Sequence, residues 1–215
     1  MWRWDLCQAL ADMGVPCIVG VDFSQSNLDG AVENCKDYKN IYFKHGNAFD
    51  TLLEENRYDL VLARALIHHL RNIEFCFKEA HRILKHGGVY FVQDRTPEDC
   101  SLPGDLEHIR GYIFERFPSL LEKEKVRRHK SEIVKESLIS VGFTEIKEVR
   151  LWETRQVYET KDQLLQDLRE RTGRSILHEL SDRELNELID FMDRIITVEG
   201  PIVEKDRWTI WKAVK

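Results

Sequence analysis

Asp22 closes the run Cys17-Ile-Val-Gly-Val-Asp22-Phe23-Ser24. Pro16 and a Ser-rich stretch bound the run, and its β-branched residues predict a buried parallel strand with Asp22 at its C-terminal tip. A carboxylate there can accept from both hydroxyls of a sugar diol at once, at roughly 1.5 to 3 kcal/mol per charged hydrogen bond; it can equally cap the helix that follows. Farther along, His68-His69 supplies imidazole, neutral near pH 7 and able to take a proton. A helix start with one packed and one exposed histidine would read the same way. Arginine's planar fork suits carboxylates. Arg95, Arg110 and Arg155 could therefore converge on an anionic small molecule, with Tyr112 and Tyr158 beside them. The competing reading is a set of solvated ion pairs with Glu107, Glu115, Glu122 and Glu124.

Such residues act together only if a scaffold gathers strand tips. The apolar spacing predicts a helix over 2–13 stopped by Gly14, and a helix over 25–36 with Ser24 as N-cap. A strand over 41–45 leads into the turn Gly46-Asn47-Ala48 and a short helix near 51–55. A strand over 58–64 runs into His68. Residues 72–85 form an amphipathic helix opened by Asn72 and ended by Gly87-Gly88, followed by a strand over 89–94. This alternation calls for a parallel sheet with helices on both faces. Residues 97–141 hold no strand, only helices near 105–117 and 130–141. An insertion of that kind sits as a lid over strand C-termini, where open α/β sheets bind ligands. A long strand over 143–158 follows. Thr160 to Gln163 and Ser181 to Glu184 are capping-box patterns opening helices near 161–172 and 182–197, and residues 207–214 form a last, antiparallel strand. The expected division is 1–96, a cofactor-binding half; 97–141, the helical lid; and 142–215, the rest of the sheet with a helical insertion.

With 215 residues, 42% of them apolar, the chain suffices for one domain with an insertion, and a net charge of −6 argues against nucleic acid or a membrane surface as partner. The five cysteines form no CxxC pair and read as reduced core thiols, with no metal site expected. No apolar run reaches the roughly 18 residues of a membrane span, so the expectation is a soluble, cytoplasmic protein.

The segments VGVDFS, KHGNAF, YDLVLARALIHHL and KEAHRILKHGGVYFVQD, in that order, resemble the class I S-adenosylmethionine-dependent methyltransferases of the small-molecule type. The resemblance is good over 2–96 and looser over 142–158 and 207–214. It implies a Rossmann-like three-layer α/β sandwich with S-adenosylmethionine as cofactor. Asp22 would hold the ribose, with Phe23 beside the adenine. Asn47 and Ala48 would stand at the adenine edge, the Asn47 carbonyl accepting from the adenine amino group. Arg64 and Ala65 would line the methionine arm, and His68 and His69 the turn where the methyl acceptor docks. An activated methyl asks mainly for proximity, worth up to roughly 7 to 11 kcal/mol, and His68 is the candidate base where the acceptor must lose a proton.

The family's first strand and Gly-rich loop should precede the helix over 2–13, and here Met1 stands where that loop should end. That strand belongs centrally, between those ending at Asp22 and Arg64, and without it two edges stay open, each orphaned backbone group costing about 1 to 3 kcal/mol. The expectation is a longer natural protein that begins upstream, or a truncated, non-catalytic remnant serving as an interaction domain that another chain completes with a strand. A dinucleotide-dependent oxidoreductase is the weaker third reading.

Overall fold

Two sheets carry the strand tips. The computed structural model describes residues 5–198 and 200–215, so residues 2–4 of the first predicted helix lie outside the described residues. In chain order the elements are α1 (Asp5–Asp12), β1 (Ile18–Asp22), α2 (Gln25–Asn34), β2 (Ile41–His45), β3 (Tyr58–Arg64), α3 (Ile73–Ile83), β4 (Leu84–Asp94), α4 (Pro97–Cys100), α5 (Ile109–Arg116), α6 (Pro118–Val126), α7 (Ser131–Val141), β5 (Thr144–Tyr158), α8 (Lys161–Arg169), α9 (Asp182–Ile195) and β6 (Ile202–Val214). Single 3-10 turns occupy Ile67–His69 and Ser175–Glu179.

β1 pairs in parallel with β2, from Ile18 opposite Ile41 to Asp22 opposite His45. The second sheet runs β3-β4-β6-β5, with β3 and β4 parallel and β6 antiparallel to both its neighbours. Among the described residues no ladder joins the two sheets. The consequence shows in burial: β1 is buried only at Ile18 and Asp22, not throughout as its apolar run predicts, and Leu60 of β3 is 50% exposed.

The larger sheet is packed on one face by α3 and α7. In α3, Ile73, Cys76, Phe77, Ala80 and Ile83 recur at helical spacing and are all buried, while Asn72 caps the start by accepting the Glu74 N–H at 3.1 Å. Phe77, Tyr90, Val134, Leu138 and Trp211 form that core, with Tyr90 stacked on Phe143. A second core, rich in leucine, joins α5, α6, α8 and α9.

Several predicted elements change. No helix forms at 51–55: Leu52 and Asn56 take positive φ of 56° and 52°, and Thr51 is tied by its N–H to Glu79 at 2.9 Å, so the segment is a tethered loop. α3 stops at Ile83, short of the glycine pair. Gly87-Gly88 instead sits inside β4 at a register shift, where a Cβ on Gly88 would lie 2.8 Å from the Lys85 carbonyl oxygen. The insertion gains α4 and α6, and α5 starts only at Ile109, because Asp105 takes the N–H groups of Glu107 and His108 in a turn. β6 begins at Ile202, five residues before its predicted start. Cys17 is exposed rather than a core thiol, Cys7 is half-buried, and Cys35, Cys76 and Cys100 are buried.

Candidate functional site

At the β1 tip, Asp22 is buried and its Oδ1 accepts the Ser24 N–H at 2.9 Å, with longer contacts of 3.4 and 3.5 Å from the Asn27 amide. The capping reading is seen directly: the carboxylate orders the start of α2 from its place at the sheet rim. Phe23 beside it is 73% exposed, its carbonyl accepting from His45 Nε2 at 2.9 Å. Asn47 does not offer its carbonyl outward. Oδ1 accepts from the N–H groups of Phe49 and Asp50 at 2.7 and 3.0 Å, closing an Asx turn and using both lone pairs, so only the NH2 remains to meet a base edge. Ala48 packs against the main core.

The β3 tip departs from expectation at Arg64, whose Nη2 donates to both oxygens of Glu153 at 2.8 and 2.6 Å. That ion pair ties the guanidinium to β5. The next residue, Ala65, takes φ of 50°, a left-handed conformation that costs an alanine roughly 1–2 kcal/mol. That strain turns the chain abruptly off β3 into the 3-10 turn bearing His68.

There a carboxylate from the neighbouring strand meets the ring. His68 Nδ1 lies 3.0 and 2.9 Å from the two oxygens of Asp94, the last residue of β4, and the His68 N–H donates to the same carboxylate at 3.2 Å. Asp94 also accepts the Arg95 N–H at 2.8 Å and Arg128 Nη1 at 2.6 Å. Arg128 donates onward to Glu124 through Nε and Nη2, and Arg127 donates to Glu124 as well. The His68 side chain is 10% exposed, while Asp94, Arg128 and Glu124 are closed to solvent. Burial alone would raise the Asp94 carboxyl, but the His68 hydrogen bond and the Arg128 charge outweigh it and hold it below the usual carboxylate range. Burial, seconded by the adjacent His68, lowers His69, whose ring lies 4.0 Å from that of His68.

Two of the three arginines predicted to converge do so, on a carboxylate of the protein itself. Arg95 and Arg110 do meet, both buried, on the carboxylate of Asp206 at 2.6 and 2.9 Å. Burial, aided by repulsion from Arg110, pulls Arg95 down to about 10, and its Nε has no partner. Arg155 does not join them. It belongs to a separate buried cluster in which Arg155, Arg174, Asp167, Glu204 and the Tyr158 hydroxyl bond one another. Burial pushes Tyr158 well above the ordinary phenol range. Tyr112 packs edge-on against Phe191 in the leucine-rich core. These ion pairs are buried or half-buried rather than solvated, and their carboxylates are Asp206, Asp167 and Glu204, none of the predicted glutamates; Glu124 pairs with Arg127 and Arg128 instead.

Sequence reasoning missed Asp94, His129 and Asp206, and gave the lid residue Arg128 no partner. Asp94 was within reach, since YFVQD ends a strand in an acid just as IVGVD does.

Residues 5–92 match the methyltransferase domain family. Demethylmenaquinone methyltransferase of Staphylococcus saprophyticus is 32% identical over 88 residues, 41% of this chain and 37% of that protein. The chain thus spans little more than a third of that relative's length. Among solved structures, phosphoethanolamine N-methyltransferase 2 of Haemonchus contortus, in complex with phosphomonomethylethanolamine and S-adenosylhomocysteine, superposes with a TM-score of 0.56 at 20% identity, covering 98% of this chain and 46% of that one. A methyltransferase candidate from an antibiotic biosynthesis pathway of Anabaena variabilis reaches 0.69 at 16% identity, covering 95% and 84%. The fold is that of the class I S-adenosylmethionine-dependent methyltransferases, and the match to the methyltransferase domain family spans residues 5–92, somewhat under half of the chain.

The residues at the β1 rim suit an adenosyl group in part. Asp22 brings an acceptor with two oxygens, and Phe23 an exposed ring face. The Asn47 NH2 complements a ring nitrogen, not an amino group.

Proposed function

We propose that this chain transfers a methyl group from S-adenosylmethionine to a small molecule, with His68 as the base that takes the acceptor's proton. The observation that carries the reading is the contact of His68 Nδ1 with Asp94 at the tips of β3 and β4. An ionised Asp94 can only accept, so it draws the imidazole proton to Nδ1 and leaves a lone pair on Nε2. Asp22 and Phe23 hold the adenosyl end of the cofactor, which supplies a methyl already activated on a sulfonium. Arg64 and Ala65 act on the path of the chain instead: one ties β3 to β5, the other bends the backbone toward His68.

Arg95 and Arg110 share one carboxylate, so the pair holds one positive charge beyond its partner's, which favours an anionic acceptor. Both relatives are named for small-molecule acceptors, and the phosphomonomethylethanolamine bound to one of them carries an anionic phosphate. Among the described residues no helix is long and apolar enough to cross a membrane, and a cytoplasmic location goes with this reading. A non-catalytic remnant is not favoured, because residues 5–92 match a methyltransferase domain and His68 meets Asp94 at the strand tips.

Transfer of an isotopically labelled methyl group from S-adenosylmethionine into a low-molecular-mass cell extract tests the reading. Wild type labels an acceptor, and His68→Gln lowers the rate by about 10² to 10⁴, the usual share of a general base. Equal labelling by both would remove His68 from the chemistry.

A further inference from the structure

We propose that Arg128 and His129, consecutive residues of the helical insertion, are positioning residues that set the tautomer and aim of the His68 imidazole. The base is then competent only while the insertion is docked. The inference builds on the assignment of His68 as the base, and gives that residue a partner some 60 positions away in sequence.

The turn carrying His68 is one 3-10 turn long, the weakest helical geometry, and it follows a strained Ala65. Its own bonds are two: the His69 N–H to the Leu66 carbonyl and the Leu70 N–H to the Ile67 carbonyl, both 3.0 Å. His129 supplies what these lack. Its Nε2 lies 3.0 Å from the carbonyl oxygen of Ile67 and 3.0 Å from that of Leu70, so one ring spans both ends of the turn. Carbonyls only accept, which requires His129 to carry its proton on Nε2.

Arg128 fixes the other half of the geometry. One arm of its fork donates to Asp94 Oδ1 at 2.6 Å, while Nε and Nη2 hold Glu124 of α6 at 3.2 and 2.8 Å. Asp94 therefore receives four donors, two from His68, one from the Arg95 backbone and one from the insertion. With the turn held by its carbonyls and the carboxylate held by a buried guanidinium, the His68 ring has one orientation toward Asp94 and one protonation pattern. Packing alone would accept leucine at position 129; spanning two carbonyls requires a donor.

Long-range ¹H–¹⁵N spectra of the ring nitrogens in the full chain at neutral pH, with neither cofactor nor acceptor present, read this directly. Wild type is expected to show His129 wholly as the Nε2–H tautomer and His68 wholly as the Nδ1–H tautomer. His129→Leu, folded by far-ultraviolet circular dichroism, should lose the single His68 tautomer to a mixture. His129→Gln, whose amide can still donate to the turn, should restore it. An unchanged His68 signature in folded His129→Leu overturns the proposal, as does a mixture in His129→Gln. Should the leucine variant not fold, wild type decides: His129 with a bare Nε2, or His68 protonated on Nε2, overturns it equally. A chain that methylates nothing would leave these spectra as they are, so failure of the methyl-transfer reading and failure of this one are distinguishable.

Discussion

Asp206 is the one carboxylate shared by two guanidinium groups, Arg95 and Arg110, with all three side chains buried. Replacing it with asparagine leaves two buried positive charges facing each other, a loss of about 3–5 kcal/mol by comparison with other broken buried pairs. Urea unfolding at neutral pH would measure that difference. Burial raises the Asp206 carboxyl, but Arg110 and Arg95 together hold it far below the usual range. A depressed carboxyl stabilises the fold fully above its unfolded value of about 3.9 and progressively less as pH falls below it. The wild-type urea midpoint should therefore drop steeply below about pH 4 and approach that of Asp206→Asn. Parallel curves would show that the carboxylate carries no such linkage. The charge of Arg95 and Arg110 was visible in the sequence, but their partner was not, because Asp206 lies 111 residues from Arg95 and only the β4–β6 pairing brings it there.

Elements with local signals were legible, and those shaped by contacts were not. The capping box of Ser181 and Glu184 is reciprocal as its spacing predicts, whereas at Thr160 the returning bond from Gln163 goes to the Glu159 N–H instead. Pro118 is the first residue of α6, a position where its missing N–H costs nothing. The loop at 51–55 carries helix-forming residues, and the Thr51 to Glu79 tether overrides them. One glycine runs against its ordinary behaviour. An alanine for a helical glycine commonly adds about 0.4–1 kcal/mol, yet a Cβ on Gly111 of α5 would lie 2.3 Å from the Gly104 nitrogen and 2.4 Å from the Pro103 carbonyl carbon. Backbone cannot give way as a side chain can. Gly111→Ala should lower the thermal midpoint, and a rise would mean the loop at 103–104 is not seated on α5.

Over the whole molecule, the order of strands and helices in residues 5–92, apart from the helix expected at 51–55, could be read from hydrophobic period and turn residues alone, and that stretch carries the family match. The division into two sheets follows the expected gap between the strands ending at Asp22 and Arg64. Of the proposed site, Asp22 and His68 stood out in the sequence, each at a strand tip or the turn after it. The residues that orient them come from distant segments with no motif of their own. Isothermal titration of S-adenosylhomocysteine into wild type and into Asp22→Ala is the decisive measurement. A saturable 1:1 heat with wild type, weakened at least about tenfold by loss of two charged hydrogen bonds to the ribose in the variant, is expected. No heat with wild type, or equal affinity in both proteins, would contradict the account.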